Sequence, residues 1–122
     1  MKNFHLYLIM LLLCGSYLSK SQDWESLNPG AGGQVQDIVC DPNVKGRLFL
    51  VSDMEGVYRS TDNGISWNYT SDDLVHHRTY AVVPDPSNSE RVYAGTLYGL
   101  HYSDNGGINW KCESRAKDEF RF

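Results

Sequence analysis

The sequence predicts an all-β protein built from β-propeller blades, and three observations lead to this prediction. Trp24, Trp67 and Trp110 are each separated by 43 residues. Two long segments repeat at nearly the same interval. After residue 21 there is no helical hydrophobic periodicity, and short runs rich in Val, Ile, Tyr and Phe alternate with turn residues. A repeated four-stranded antiparallel unit of about 43 residues is typical of a propeller blade.

The repeat extends over most of the chain after residue 21. Residues 56–67 (GVYRSTDNGISW) match residues 99–110 (GLHYSDNGGINW) at an offset of 43. Residues 38–52 (IVCDPNVKGRLFLVS) match residues 82–96 (VVPDPSNSERVYAGT) at an offset of 44. Each unit is expected to contain four strands, because turn residues divide it into four β-prone runs. In the first unit we expect these strands at residues 34–40, 48–52, 56–60 and 66–71.

The expected organisation is an incomplete propeller of about two blades behind an export signal. Lys2 and an apolar run that is too short to span a bilayer predict a signal peptide, and therefore a secreted or periplasmic protein. Since a closed propeller needs about four to eight blades, we expect further carboxyl-terminal blades to be needed for closure. The expected segments are a signal peptide (1–21), a strand closing the last blade (22–32), blade 1 (33–71), blade 2 (72–114) and a truncated tail (115–122).

Composition excludes several classes of function. The formal net charge is −4, and it becomes more negative when Lys2 and Lys20 leave with the signal peptide. A nucleic-acid partner is therefore not expected, and neither is a membrane partner after cleavage. No spacing of His, Cys, Asp or Glu predicts a metal site, and no cofactor is expected. Cys40 and Cys112 are expected to be buried free thiols.

The Ser-x-(Asp/Asn)-x-Gly-x-x-Trp element of each unit resembles the Asp box of the bacterial neuraminidase (BNR) repeat. A short Asx side chain accepts backbone N–H bonds across a turn, glycine supplies a positive φ, and tryptophan packs into the blade. The second unit has Asn105 where the first has Asp62, and an amide cannot act as a general base. A structural role is therefore predicted for Ser60, Asp62, Gly64, Trp67, Ser103, Asn105, Gly107 and Trp110.

Asp53 differs from Asp62 because it has no counterpart in the repeat. The first unit reads SDMEG where the second reads TLYG, so it has one extra residue and the only carboxylates in this turn. In an up-and-down blade, successive connections alternate between two faces. Asp53 should therefore share a face with the inter-blade connections at 28–33 and 71–78. An inert, exposed turn aspartate is the alternative interpretation.

From Trp24 to Trp67 the sequence resembles the amino-terminal blade of glycoside hydrolase family 74, which comprises xyloglucanases and oligoxyloglucan cellobiohydrolases. The resemblance is carried by GAGGQVQDIVCDP (30–42) and LVSDMEGVYR (50–59). It implies an inverting two-carboxylate mechanism on a β-1,4-glucan or xyloglucan-type polysaccharide, with Asp53 as candidate general base. The second carboxylate would lie outside this chain, so the chain alone is expected to be inactive. Val51 and Glu55 stand where the family has Arg and Gly.

Four further residues are candidates for substrate binding, and a second function stays open. The glycine run and the position of loops on the Asp53 side suggest Gly32, Gly33, Tyr98 and His77 as contacts to a polysaccharide. Tyr98 would offer a ring for stacking against a sugar. The alternative function is a non-catalytic Asp-box propeller that binds protein or glycan, as sortilin-like receptors or assembly factors do. The departures at Val51 and Glu55 favour that alternative.

Overall fold

The computed structural model describes residues 29–30 and 32–115, together with Asp23 and Ser26. The predicted signal peptide, most of the predicted closing strand with Trp24, and residues 116–122 lie outside these residues. Across the described part of the chain, no helix has the length and apolar character needed to cross a membrane.

Eight strands form two four-stranded antiparallel sheets, one for each sequence repeat. The strand orders are β1-β2-β3-β4 and β5-β6-β7-β8, so each sheet is an up-and-down meander. This confirms the predicted all-β fold of four-stranded antiparallel units. The strands are β1 (Val35–Cys40), β2 (Leu48–Ser52), β3 (Gly56–Ser60), β4 (Asn68–Tyr69), β5 (Thr79–Pro84), β6 (Val92–Thr96), β7 (Gly99–Ser103) and β8 (Lys111–Arg115).

The strand bounds agree with the sequence prediction except at the fourth strand of the first sheet. β2 and β3 have the predicted bounds, and β1 begins one residue later than expected. The predicted strand at 66–71 was too long, because β4 contains only Asn68–Tyr69. Side chains replace the sheet ladder at both of its ends. Asp62 Oδ1 accepts the Ser66 N–H at 2.9 Å, and Ser71 Oγ accepts the Val57 N–H at 2.5 Å.

The two sheets pack face to face around one apolar core. Because side chains alternate along a strand, each sheet contributes one face to this core. Trp110 is buried in the core, and Trp67 is half-buried. The core side chains are Phe49, Val51, Val57, Leu74, Val82, Val92, Ala94 and Trp110.

Hydrogen bonds to main-chain carbonyls of the loops of the second unit also join the two sheets. Asn43 Nδ2 donates to the Asp85 carbonyl at 2.7 Å, and Arg59 Nε donates to the Gly106 carbonyl at 2.7 Å. Beside this contact, Gly107 has a φ of 82°, and a Cβ there would lie 2.4 Å from the Phe49 ring. The second Ser-x-Asx-x-Gly turn therefore fits closely against the first sheet only because it has glycine at this position.

The two cysteines are free, as predicted, but the prediction that they are buried was wrong. Cys40 and Cys112 are both exposed. Within the described residues, β1 and β8 each pair with one neighbour only, so both are edge strands. Cys40 also alternates with Val39, whose side chain packs on the core, and therefore points away from the second sheet.

Candidate functional site

The strand order brings four connections to one side of the two sheets. We call this side the Asp53 face and define it by residues 32–34, 53–55, 70–78 and 97–98. Backbone hydrogen bonds join neighbouring connections in the same way in both units. The N–H of Asp53 donates to the Gln34 carbonyl at 3.1 Å, and the N–H of Leu97 donates to the Arg78 carbonyl at 2.9 Å. These connections therefore have the relationship predicted from the alternation of loops.

One oxygen of the Asp53 side chain is held by a main-chain group. Asp53 is half-buried, and its Oδ1 accepts the Gln34 N–H at 2.7 Å. Within the described residues, its Oδ2 has no hydrogen-bond partner. Leu97 occupies the equivalent position in the second unit and cannot make this side-chain bond. The carboxylate is thus oriented by a main-chain group, and none of the described residues bonds its second oxygen.

Glu55 is a second carboxylate in the same turn, and sequence reasoning did not identify it as a site residue. The Tyr58 hydroxyl donates a hydrogen bond to Glu55 Oε2, and the Gly32 N–H donates to the same carboxylate. These two bonds, Tyr58 first, lower the pKa of Glu55 against the opposing effect of burial. Burial and the bond to Glu55 raise the pKa of Tyr58 to about 12. Glu55 therefore stays ionised, and Tyr58 keeps its proton, at neutral pH.

Gly32 and Gly33, both predicted to contact substrate, lie directly against these two carboxylates. A Cβ at Gly33 would be 2.4 Å from Asp53 Oδ1, and a Cβ at Gly32 would be 2.8 Å from Glu55 Oε1. Gly33 also has a φ of 79°. Glycine is needed at Gly33, because its φ is positive and a Cβ would overlap Asp53 and Met54, whereas a side chain at Gly32 would require only the end of Glu55 to shift.

The structure places Tyr98 and His77, the two predicted ring contacts, with different partners. His77 is exposed and packs edge-on against Tyr69 with 6.1 Å between ring centroids. Tyr69 in turn packs edge-on against Tyr58 at 5.5 Å, so a row of rings leads from His77 to Glu55. Tyr98 instead pairs with His76 at 5.0 Å. The row of rings could have been predicted from the sequence only through the cross-strand pairing of Tyr58 with Tyr69. That pairing depends on the exact register between β3 and β4.

Asp62 and Asn105 occupy equivalent turns on the opposite side of the sheets. Asp62 Oδ1 accepts from Ser66 N at 2.9 Å, and Asn105 Oδ1 accepts from Asn109 N at 2.9 Å. Each Asx oxygen also accepts a hydroxyl bond from the serine two residues before it. Hydrogen bonds from Ser66 and Ser60, those of Ser66 first, lower the pKa of Asp62 to about 2. These contacts explain why Asp and Asn are interchangeable here.

A cleft of about 450 Å³ opens between the two sheets, but the predicted site residues do not line it. Its walls include Arg59, Tyr69, Asp73 and Ile108. Among the described residues there is no group of three or more His, Cys, Asp or Glu side chains arranged to hold a metal ion.

Fold and site together define the class of this chain. It has two propeller-type blades, and one face carries a carboxylate, Asp53, that has no counterpart in the second unit. Among solved structures, the crystal structure of an ancestral GH74 enzyme is similar to it, with 52% sequence identity and a TM-score of 0.64. The match covers 75% of this chain and 12% of that enzyme. No family model and no curated protein match the chain. The chain is therefore related to a glycoside hydrolase, and it spans 12% of the length of that relative.

Proposed function

We propose that this chain is part of a secreted glycoside hydrolase that cleaves a β-1,4-glucan backbone of the xyloglucan type. The observation that carries the proposal is Asp53, which lies outside the repeat pattern, with one oxygen held by Gln34 and the other bonded by none of the described residues. The 52% identity to an ancestral GH74 enzyme supports it. A turn aspartate with a purely repetitive role would have an equivalent in the second unit, as Asp62 has in Asn105.

In the proposed inverting reaction, Asp53 is the general base. Its free Oδ2 accepts a proton from a water molecule, which attacks the anomeric carbon while a carboxylic acid protonates the departing glycosidic oxygen. In inverting enzymes the two carboxyl groups stand about 6.5–9.5 Å apart, so that a water fits between base and sugar. Glu55 is unsuited to be the acid, because it is ionised and hydrogen-bonded to Tyr58 and Gly32. We therefore assign the acid to a residue outside this chain and expect the chain alone to be inactive.

A chimera tests this assignment directly. The segment of the ancestral GH74 enzyme that matches this chain is replaced by the corresponding residues of this chain, and hydrolysis of xyloglucan is measured. We expect an active chimera, and a decrease in kcat of about 10²–10⁴-fold for Asp53→Asn, the usual contribution of a general base.

Asp62→Asn is the matched control, because it makes the same chemical change on the opposite side. The second unit already has an amide at that position, so this variant should keep the activity of the chimera. Full activity of the Asp53→Asn chimera would overturn the proposal. Equal losses in both variants would show that the effect is on folding.

A non-catalytic propeller that binds glycan or protein is the second candidate function. It is favoured by Val51, which stands where the resemblance places an arginine and is fully buried in the core. The valine side chain therefore offers no charged group to a ligand on the Asp53 face. Calorimetric titration of the chain with xyloglucan oligosaccharides distinguishes the two functions when combined with the chimera. Binding by the chain together with an inactive, folded chimera would favour this candidate.

A further inference from the structure

Equivalent loop segments in the two units carry different side chains beside the turn that contains Asp53. Residues 32–34 (Gly-Gly-Gln) are equivalent to residues 76–78 (His-His-Arg) at an offset of 44. Each segment accepts one main-chain hydrogen bond from the turn between the second and third strands of its own sheet. This shared bond is the contact that the repeat provides, and the other contacts of residues 32–34 are specific to the first unit.

The main-chain N–H at the third position of each segment has its acceptor in a different place. The Arg78 N–H donates to His76 Nδ1 at 2.9 Å, so the second unit satisfies this donor within the segment itself. The equivalent Gln34 N–H donates to Asp53 Oδ1 at 2.7 Å. Because residue 32 is a glycine, it has no side chain that could replace His76. The first unit therefore depends on the turn for this acceptor.

Glu55 holds the glycine segment at a second point. The Gly32 N–H donates to the Glu55 carboxylate, and a Cβ at Gly32 would lie 2.8 Å from Glu55 Oε1. Two carboxylates of one turn thus hold two N–H groups of one segment, since Glu55 accepts from Gly32 and Asp53 accepts from Gln34. Leu97 and Tyr98 form the equivalent turn of the second unit and have no carboxylate.

Glu55 is itself fixed through both its main chain and its side chain. Its N–H donates to Ser52 Oγ at 2.9 Å, and its Oε2 accepts the Tyr58 hydroxyl. Tyr58 belongs to β3, is 7% exposed and packs edge-on against Tyr69, so it anchors the carboxylate to the sheet. The segment needs such an anchor because glycine has more main-chain freedom than any other residue, and two glycines precede Gln34.

We propose that Glu55 is a positioning residue, which fixes the glycine segment so that the Gln34 N–H holds Asp53 in one orientation. Without this contact, rotation about the main-chain torsions of Gly32 and Gly33 would carry the Gln34 N–H away from Asp53 Oδ1. The consequence for catalysis rests on the proposed function of Asp53 as general base. The resemblance to family 74 places a glycine at position 55, so the contact is a property of this chain and is not implied by the resemblance.

Amide hydrogen exchange of the full chain, measured by NMR, tests the contact without an activity assay. Glu55→Ala removes the acceptor of the Gly32 N–H, and exchange at both Gly32 and Gln34 should become about tenfold faster, as expected for the loss of one hydrogen bond. Arg78 is the internal reference because its N–H is bonded within its own segment, so its exchange rate should stay the same.

Three further variants separate the hydrogen bonds of Glu55 from its charge. Glu55→Gln keeps an oxygen that can accept from Gly32 and Tyr58, so it should restore most of the slow exchange. Tyr58→Phe keeps the buried ring and removes the hydroxyl that holds Glu55, so it should give an intermediate rate. Glu90→Ala is the matched control: it removes an exposed carboxylate on the opposite side of the sheets and should leave both amides unchanged.

The activity of the chimera gives a readout that a purely structural role would not change. In the chimera, Glu55→Ala should lower kcat about tenfold with KM nearly unchanged, because a displaced general base slows the chemical step. In the Asp53→Asn background the same substitution should cause no further loss, because a positioning residue acts only through the group that it positions.

Three results would each overturn the proposal. The first is an unchanged exchange rate at Gln34 in Glu55→Ala, which would show that Glu55 holds Gly32 alone. The second is equal acceleration at Gln34 and Arg78, which would indicate a general loss of stability. The third is an equal decrease in kcat with and without the Asp53 carboxylate. An inactive chimera would instead contradict the proposed function, and the exchange rates would then decide the role of Glu55 by themselves.

Discussion

The main-chain N–H of Gln34 donates a 2.7 Å hydrogen bond to Asp53 Oδ1, and this bond occurs in only one of the two units. The main-chain bond beside it, from Asp53 N to the Gln34 carbonyl, recurs between Leu97 and Arg78. The repeat therefore provides the connection between the two segments, and the Asp53 side chain adds to it. An aspartate fixed in this way has two separable properties, an oxygen that accepts the Gln34 N–H and a negative charge.

The first prediction separates these two properties by substitution. Asp53→Ala removes the acceptor of the Gln34 N–H and should lower the free energy of unfolding by about 1 kcal/mol, the net value of a typical hydrogen bond. Asp53→Asn keeps an oxygen acceptor and should cost less than half as much. Urea denaturation of the two variants measures the difference. Equal destabilisation would show that Gln34 requires the charge of Asp53, and would contradict the separation.

The second prediction concerns the close approach of Gly33 to Asp53. Gly30 and Gly33 have similar positive φ values of 70° and 79°, so alanine should incur a similar backbone strain of about 1 kcal/mol at both positions. A Cβ at Gly33 would also overlap Asp53 Oδ1 and Met54, whereas nothing lies within 4 Å of a Cβ at Gly30. Gly33→Ala should therefore be destabilised by about 1–3 kcal/mol more than Gly30→Ala, as overpacked sites are.

Thermal or urea denaturation of the two alanine variants tests this difference, with Gly30→Ala as the control for strain. The Gln34 amide proton in an NMR spectrum gives a second readout, since its resonance should shift in Gly33→Ala and stay in place in Gly30→Ala. Equal stability and an unchanged Gln34 resonance would mean that Asp53 moves aside without cost.

The sequence predicts the framework of the fold and less of the site, for physical reasons. A repeat with turn residues at fixed places predicts β2 and β3 to the residue, because hydrophobic alternation and turn chemistry are local. The length of β4 depends on whether Asp62 and Ser71 side chains take backbone groups from the ladder, and the pattern does not contain that information. The exposure of Cys40 depends on which strand becomes an edge.

The contacts of Glu55 show why sequence reasoning did not identify this second carboxylate of the turn. Glu55 looks like a departure from a family pattern, and its role emerges only when the chain brings Gly32 and Tyr58 to its carboxylate. Asp53 was found because the comparison of two units in one chain isolates it. Comparison of the two units thus identifies the positions at which they differ. The contacts of a long side chain such as Glu55 become visible only in the three-dimensional structure.

The third prediction is a pH dependence that comes from His101. This side chain is fully buried, and its Nε2 accepts the Val75 N–H at 3.3 Å. Burial lowers its pKa below the ordinary 6.5, an effect that the nearby Gly99 carbonyl partly offsets. Between the folded pKa and about 6.5 the unfolded chain binds more protons than the folded one, so stability rises with pH through this interval and is lost below it.

Urea denaturation at about pH 7.5 and about pH 5.5 measures this contribution. The unaltered chain should lose more stability on acidification than His101→Gln, which keeps an acceptor but does not titrate. The two proteins differ only at position 101, so the comparison isolates the contribution of His101. Identical losses in the two proteins would exclude His101 as the source of the pH dependence.

The fourth prediction uses the two repeats as controls for each other at Arg47 and Arg91. Arg47 and Asp41 form a buried pair at 2.7 Å, whereas Arg91 and Asp104 form a partly exposed pair at 2.8 Å. Arg47→Met leaves the Asp41 charge buried without its partner and should lower the free energy of unfolding by about 3 kcal/mol. Arg91→Met should cost under about 1 kcal/mol, because solvent screens an exposed pair.

Asp41→Asn in the Arg47→Met background separates loss of charge pairing from loss of packing. The amide removes the uncompensated charge and can still accept the Asn43 N–H that Asp41 accepts at 2.8 Å. The double variant should therefore be more stable than Arg47→Met alone, as measured by urea denaturation. If the double variant is the less stable of the two, the cost of Arg47→Met comes from its lost contact with Ser89 and from packing between the sheets, and not from the buried charge of Asp41.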